Sequence, residues 1–366
     1  MKKLDILLPF SLPPKELARD LLAHLKLPAL ATLLSRAQSN RLQHFDEFAH
    51  TLPHEMWLAR QFGIHTPTDS SPAIAHIAMR GINLPAQTGH WFVLHPAHIH
   101  IARDHLVLTD IRQVRLSEAD ALALFNSAKP LFEDAGKTLL YGDTNTWFMR
   151  ADEWRTLRTS TPDATCGHNI DIWMPRSEDG SARAWRKLQN EVQMQWFENA
   201  LNQERTALGQ QVINSLWLWG GQTANDTADD IQSGTHTEKR YSHTYNLQGW
   251  PQCLTTRSPH YRTHCSAAEL IADAPQQGLL LLNTLIAPTL TSEWSVWQQQ
   301  LQTLETDWFT PLLQALENRQ LDQLTLIMTD NTRMTEFNIT RLSLKKFWVK
   351  PTLKKLSVEI VKGAIS

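Results

Sequence analysis

The 366-residue chain sets 35 Lys and Arg against 37 Asp and Glu, and its formal charge of −2 offers no global field for nucleic acid or anionic lipid. An apolar share of 42% with 14 Trp can bury one large core and a smaller second one, which excludes a disordered or fibrous chain. The cysteines Cys166, Cys253 and Cys265 are odd in number and lack metal-finger or CxxC spacing, so reduced thiols in the cytoplasm are expected. At the N-terminus Asp5 and the prolines Pro9, Pro13 and Pro14 break the apolar stretch a signal peptide needs. The longest apolar run, 278–290, is interrupted by Asn283 and Pro288 and is too short for a membrane span.

In chain order, residues 4–8 read as a buried strand, followed by helices over 14–25, 27–36 and 55–62, the last ended by Gly63. The polar stretch 66–72, with two prolines and two serines, marks a boundary. Short β-prone runs over 91–108, interrupted at Arg103 and Asp104, suggest paired strands. Ser117 then precedes a capped helix that carries Pro130 and stops at Gly136. One long helix is expected over 181–208, closed by Gly209, with Trp185, Leu188, Val192 and Trp196 as its core stripe. A strand over 212–219 follows, then a long mobile loop over 222–248. Strands over 278–286 and 324–329 enclose a helix over 294–316. The alternation predicts an α/β core interrupted by an α+β insertion, with no fixed-period repeat.

Several polar constellations have both a chemical and a structural reading. His95, His98, His100 and His105 fall within eleven residues, and the HxH pair puts His98 and His100 on one strand face, as metal ligands or as a packed polar face. Cys166 beside His168, Asn169 and Asp171 is either a thiol near a base or a turn that satisfies backbone groups. Asn190, Glu191, Met194, Glu198, Asn202 and Arg205 share a helix face that grips a polar ligand or is solvated, and Arg205 is the anion anchor. Trp217 and Trp219 read as core, while Gly220 and Gly221 permit close backbone approach to a ligand or a tight turn. The Lys345–Lys355 stretch, with Phe347 and Trp348, reads as a protected edge strand or a basic arm.

The segment 188–221, LQNEVQMQWFENALNQERTALGQQVINSLWLWGG, resembles part of the cofactor-independent phosphoglycerate mutases of the archaeal type. Asn202, Arg205, Gly209, Asn214, Trp217, Trp219 and Gly220 stand at the matching places. LSEADALA at 116–123 resembles a helix start in the family's insertion domain, and Thr329, Asp330, Asn331 and Thr332 resemble its terminal metal-binding turn. GHNID at 167–171, NEVQM at 190–194 and NSLWLWGG at 214–221 resemble a bacterial subgroup described as regulatory proteins of RpfE type.

The resemblance implies an alkaline-phosphatase-like core sheet flanked by helices (1–75 and 209–366) with an inserted α+β lid-like domain (76–208). It also implies a metal pair and a Ser or Thr nucleophile, and here the chain departs. Pro9 and Phe10 follow the first strand where the family has an Asp ligand, and His54 and Glu55 stand where it has its Ser-Asp nucleophile. Residues 287–293, APTLTSE, replace Asp and His ligands, and Asn331 replaces a His, leaving Asp330. One Asp does not hold two divalent ions. The expectation is therefore a degenerate, non-catalytic ligand-binding or regulatory protein without cofactor, metal or catalytic residues. Its ligand residues would be His168, Asn169, Asn190, Glu191, Asn202, Arg205, Asn214, Trp219 and Gly220, set against a small anionic ligand or a protein partner. The alternative is an active metal-dependent phosphomutase or phosphatase on a small phosphorylated metabolite, with His98, His100, His168 and Asp330 building a rearranged site. A third class is an assembly protein recruited through its tryptophans.

Overall fold

A computed structural model describes residues 2–85, 87–224 and 241–357. The chain divides into two compact units, Met1–Glu47 with Lys239–Ser366, and Phe48–Glu238. The fold is mixed α/β, as the alternation of strands and helices predicts.

The first unit is built on a seven-stranded sheet. Its centre is β1 (Lys3–Leu8), hydrogen-bonded in parallel to β11 (Gln277–Leu281) on one side and β12 (Gln323–Thr329) on the other. Leu4, Ile6, Leu7 and Leu8 are buried, as expected where both faces of a parallel strand are covered. β9 (His243–Tyr245) and β10 (His260–Arg262) extend the β11 side in parallel. On the other side β13 (Arg333–Thr340) runs antiparallel to β12 and to β2 (Ser39–His44), which makes the sheet mixed.

Helices α1 (Ala18–Ala23) and α2 (Pro28–Ser35) follow β1. Leu27 at the α2 N-cap supplies no side-chain acceptor. Instead the Glu305 carboxylate receives the Ala29 N–H at 2.5 Å and the Leu30 N–H at 3.0 Å, satisfying two of the orphan donors at the helix start. At the other end of α2, Lys355 Nζ donates to Leu34 O at 2.8 Å and Lys346 Nζ to Ala37 O at 3.2 Å. These lysines therefore neutralise a helix C-terminus. The stretch 345–355, expected as an edge strand, instead follows the short helix Arg341–Leu344 as turns that end in a 3-10 turn at Lys354–Leu356 and leave Phe347 and Trp348 exposed.

The second unit holds an antiparallel four-stranded sheet in the order β6-β7-β3-β8. Its strands are β3 (His90–Ala97), β6 (Thr138–Tyr141), β7 (Trp147–Arg150) and β8 (Ser215–Thr223). The hairpin β4 (Ile99–Ala102) and β5 (His105–Leu108) turns at Arg103 and Asp104, where the interruption was expected. Helix α5 (Glu118–Asp134) starts on the Ser117 hydroxyl, which accepts the Asp120 N–H. Together with α7 (Ser181–Phe197) it covers one sheet face, burying Trp147, Trp185, Leu188, Val192 and Trp196.

Several expectations need correction. The long helix is two, because α7 stops and Asn199 caps a new start for α8 (Ala200–Ala207) by accepting the Leu201 N–H at 3.0 Å. The stretch 66–72 is no boundary: Ser70 and Ser71 are buried and bonded to Thr159. The unit boundary lies earlier, after Glu47. The strand after residue 208, expected in the core, is β8, which pairs along β3 and so belongs to the inserted unit. Of the loop expected over 222–248, residues 225–240 lie outside the described residues, but 243–245 form β9. The helix expected over 294–316 is continuous in span but carries a π-helical turn at Glu305–Phe309, the turn that delivers Glu305 to α2.

Glu305→Ala should lower the unfolding free energy by about 1–2 kcal/mol, the usual loss for a helix cap, when read by urea denaturation.

Candidate functional site

All expected ligand residues lie in the second unit. Asn190, Asn202 and Asn214 line one cavity of about 850 Å³, whose walls come from α7, α8, the β4–β5 hairpin and the start of β8. Its apolar side is Ile99, Ile101, Leu106, Ile170 and Phe197; its polar side includes Arg186, Asn190 and Gln193 from one face of α7. The spacing 186, 190, 193 follows the three- and four-residue steps of a helix face.

Three of the expected residues have structural employment. Asn202 Nδ2 donates to Trp196 O and Ile213 O, both at 2.8 Å, and its Oδ1 accepts the Ile213 N–H at 2.9 Å. The side chain thus ties the end of α7 to the approach to β8. Asn214 acts as a substitute strand: its Oδ1 accepts the Ile99 N–H at 2.8 Å and its Nδ2 donates to Ile99 O at 2.7 Å. Arg205, the expected anion anchor, is 6% exposed and donates from Nε to Gln211 O at 2.8 Å, with Asp120 at 4.0 Å. It does not line the cavity, and Arg186 is the cation that does.

The others stand apart. Glu191 faces Lys187 at 3.7 Å. His168 stacks on Trp173 with centroids 5.0 Å apart, and Asn169 caps the short turn Ile170–Ile172 by accepting the Asp171 N–H. Trp219 is buried in β8 against the ring of His95, with centroids 5.9 Å apart. Gly220 holds φ +71, and a Cβ there would meet Ile74 Cγ1 at 2.9 Å, so packing against Ile74 already calls for a glycine. His98 and His100 do share a face, their rings stacked 5.6 Å apart, with His98 Nδ1 donating to Val212 O.

A second constellation in the same unit was not foreseen as a site. Helix α3 (Pro53–Gln61) begins with His54 and Glu55, and the short helix α6 (Pro162–Thr165) supplies Asp163. The potential ligand atoms of His54, Glu55 and Asp163 lie within 4.8 Å of one another. Glu55 Oε2 accepts the Leu52 N–H at 2.9 Å and the Thr161 hydroxyl at 2.7 Å, while its Oε1 is buried with no hydrogen-bond partner. Arg112 grips Asp163 in a fork, Nη1 to Oδ2 at 3.0 Å and Nη2 to Oδ1 at 2.8 Å, and donates from Nε to Asp110 Oδ2 at 3.1 Å.

Burial first, then the charge of Asp163, holds the Glu55 carboxyl well above the usual range. Burial pushes the His54 imidazole down to about 4 and the Cys166 thiol, also near Asp110 and Asp163, up to about 12. A thiol held neutral is a poor nucleophile, which weighs against the thiol-and-base reading of Cys166. For Arg112 burial acts to lower the pKa, but Asp163 and Asp110 outweigh it and the guanidinium stays charged. Only the adjacency of His54 and Glu55 was visible in sequence; Asp163 lies more than a hundred residues on, at no characteristic spacing.

In the first unit, Asp330 accepts at Oδ1 from Thr332 N (2.8 Å) and Arg333 N (2.6 Å), and at Oδ2 from Arg333 Nε (2.5 Å). Arg333 is 3% exposed and also donates from Nη2 to Pro13 O at 2.8 Å, locking the pair.

No family model and no curated protein matches the chain. Among solved structures, the chain is similar to the cofactor-independent phosphoglycerate mutase from Thermoplasma acidophilum DSM 1728, at 14% identity over 98% of this chain and 95% of that one, TM-score 0.45. It is also similar to the PH0037 protein from Pyrococcus horikoshii, at 12% identity over 93% of this chain and 87% of that one, TM-score 0.50. At such identity the likeness to the Pyrococcus protein is one of fold.

Asn202→Ala should lower the unfolding free energy by about 2–4 kcal/mol because it leaves buried backbone groups unpaired, whereas Asn190→Ala should change it by less than about 0.5 kcal/mol. Chemical denaturation of both variants checks the contrast.

Proposed function

We propose that this chain is a phosphoglycerate-mutase-like protein of the alkaline phosphatase superfamily, of the RpfE-type subgroup, that binds a ligand and does not transfer phosphoryl groups. The observation that carries the reading is the pairing of Asp330 with Arg333. Asp330 is the one metal-ligand position the family resemblance retains, and its carboxylate is filled by a guanidinium and two backbone N–H groups. Of the other places, Pro9, Phe10 and Asn331 supply no carboxylate or imidazole, the stretch 287–293 keeps only Glu293, and the nucleophile place holds His54 and Glu55 with no hydroxyl. The family's metal pair does not fit this donor set, because two divalent ions about 3.5–4 Å apart need several carboxylates and imidazoles converging on them.

The ligand seat is the cavity on α7, α8 and the β4–β5 hairpin. Arg186, Asn190 and Gln193 would hold the polar end of the ligand, and Ile101, Leu106 and Phe197 its apolar body. The role expected of Arg205 passes to Arg186. Cytoplasmic residence and a regulatory role through a protein partner belong to the same reading.

Two measurements test it. Assayed with 3-phosphoglycerate and with a phosphomonoester, each with and without added Mn2+, the protein should show no turnover above the enzyme-free rate. Mn2+-dependent turnover would overturn the reading. In a thermal-shift screen of carboxylated and phosphorylated metabolites, a stabilising ligand should lose its effect in Arg186→Ala while the unliganded melting temperature stays put.

A further inference from the structure

The buried group at the start of α3 carries an imbalance that the cavity reading leaves unexplained. Glu55, Asp163 and Asp110 are three carboxylates gathered around one guanidinium, that of Arg112. With all groups ionised the formal charge is −2 in a region where Glu55 is 0% exposed and Asp110 2% exposed. Buried charges are tolerated when they are paired or when they coordinate a metal. Glu55 Oε1, fully buried and lacking a hydrogen-bond partner, is the atom at which that demand is unmet.

We propose that His54, Glu55 and Asp163 form a site for one divalent first-row transition ion. Their ligand atoms already lie within 4.8 Å of one another, a spread that a single ion can bridge with small side-chain adjustments. Imidazole nitrogen and carboxylate oxygen are both ligands that zinc accepts, and three protein ligands leave the fourth position of a tetrahedral site open. The imidazole selects against Mg2+ and Ca2+, which take oxygen ligands.

The surrounding bonds are those that orient ligands. Leu52 N and Thr161 Oγ1 hold Glu55 Oε2 and leave Oε1 to coordinate. The Arg112 fork fixes Asp163, whose oxygens each keep a second lone pair for a metal. A +2 ion brings the formal charge of the cluster to zero, so Arg112 completes the balance and does not oppose binding. This inference does not rest on the ligand-binding reading, since it concerns other residues and is read without any turnover.

The test is titration of the full chain, freed of metal by a chelator and dialysed, with Zn2+ by calorimetry and with Co2+ by visible absorption. Wild type should bind one Zn2+ tightly, and Glu55→Gln and Asp163→Asn should each weaken binding at least about tenfold, the lower bound for losing even an outer-shell partner. His100→Ala removes half of the stacked histidine pair, the competing site for stray metal, and should bind as wild type does. Absence of stoichiometric Zn2+ binding in wild type, or affinity unchanged in both carboxylate variants, overturns the proposal. So does loss confined to His100→Ala. If Glu55→Gln does not fold, Asp163→Asn and the wild-type Co2+ spectrum decide: oxygen and imidazole ligation gives only d–d bands, whereas a thiolate charge-transfer band would implicate Cys166 and refute the ligand set.

Discussion

The first unit depends on the placement of β1 between β11 and β12. The pairing Lys3↔Gln277 on one edge and Lys3↔Gln323 on the other ties the beginning of the chain to its last third. The strands after the excursion can pair among themselves, β9 with β10 and β11 and β12 with β13, but β1 and β2 find their partners only across the excursion. Loop-closure entropy grows slowly with length, and an excursion with its own core adds little to that cost. The chain can therefore carry the whole of Phe48–Glu238 between β2 and β9 without forfeiting the sheet.

Within the excursion, the corresponding constraint is the register of β3 against β8, from His90↔Thr223 to Ala97↔Ser215. It fixes which residues of 215–223 face α7 and which face the other side. Leu216 and Leu218 join the cluster with Trp185, Val192 and Trp196, whereas Trp217 points its Nε1 to Ser160 O at 2.9 Å. Just before this ladder Asn214 bonds Ile99, and Asn202 on α8 bonds Ile213. Polar side chains that look like ligand contacts in sequence thereby become partners for backbone groups that no strand or helix satisfies. The cavity is what remains open beside them, and Arg186, Asn190 and Gln193 on the exposed face of α7 are among its polar lining.

The two acidic sites show how a neighbour decides what a carboxylate does. Asp330 meets a guanidinium and two backbone N–H groups and is fully employed. Glu55 has one oxygen employed and one not, and its neighbour Asp163 repels it. Both residues sit at ends of regular elements, where backbone N–H groups are available. The difference is the location of the arginine: Arg333 is three residues from Asp330, whereas Arg112 directs its hydrogen bonds to Asp163 and Asp110 and acts on Glu55 only through its charge.

Sequence by itself determined the local elements whose pattern is written in neighbouring residues. The apolar strand β1, the Ser117 cap of α5, the stripe of Trp185, Leu188, Val192 and Trp196 and the turn at Arg103–Asp104 follow from hydrophobic period and capping chemistry, which act within a few residues. The inserted arrangement followed from the order of those elements. Tertiary structure alone decided the rest, because it depends on partners distant in the chain. Leu27 gives no sign that Glu305 will cap α2, nor Arg205 that Asp120 will stand near it, nor Glu55 that Asp163 will stand beside it. A polar residue advertises its hydrogen-bonding capacity in the sequence, but whether that capacity is left for a ligand is set by which backbone groups the fold brings within 3 Å of it.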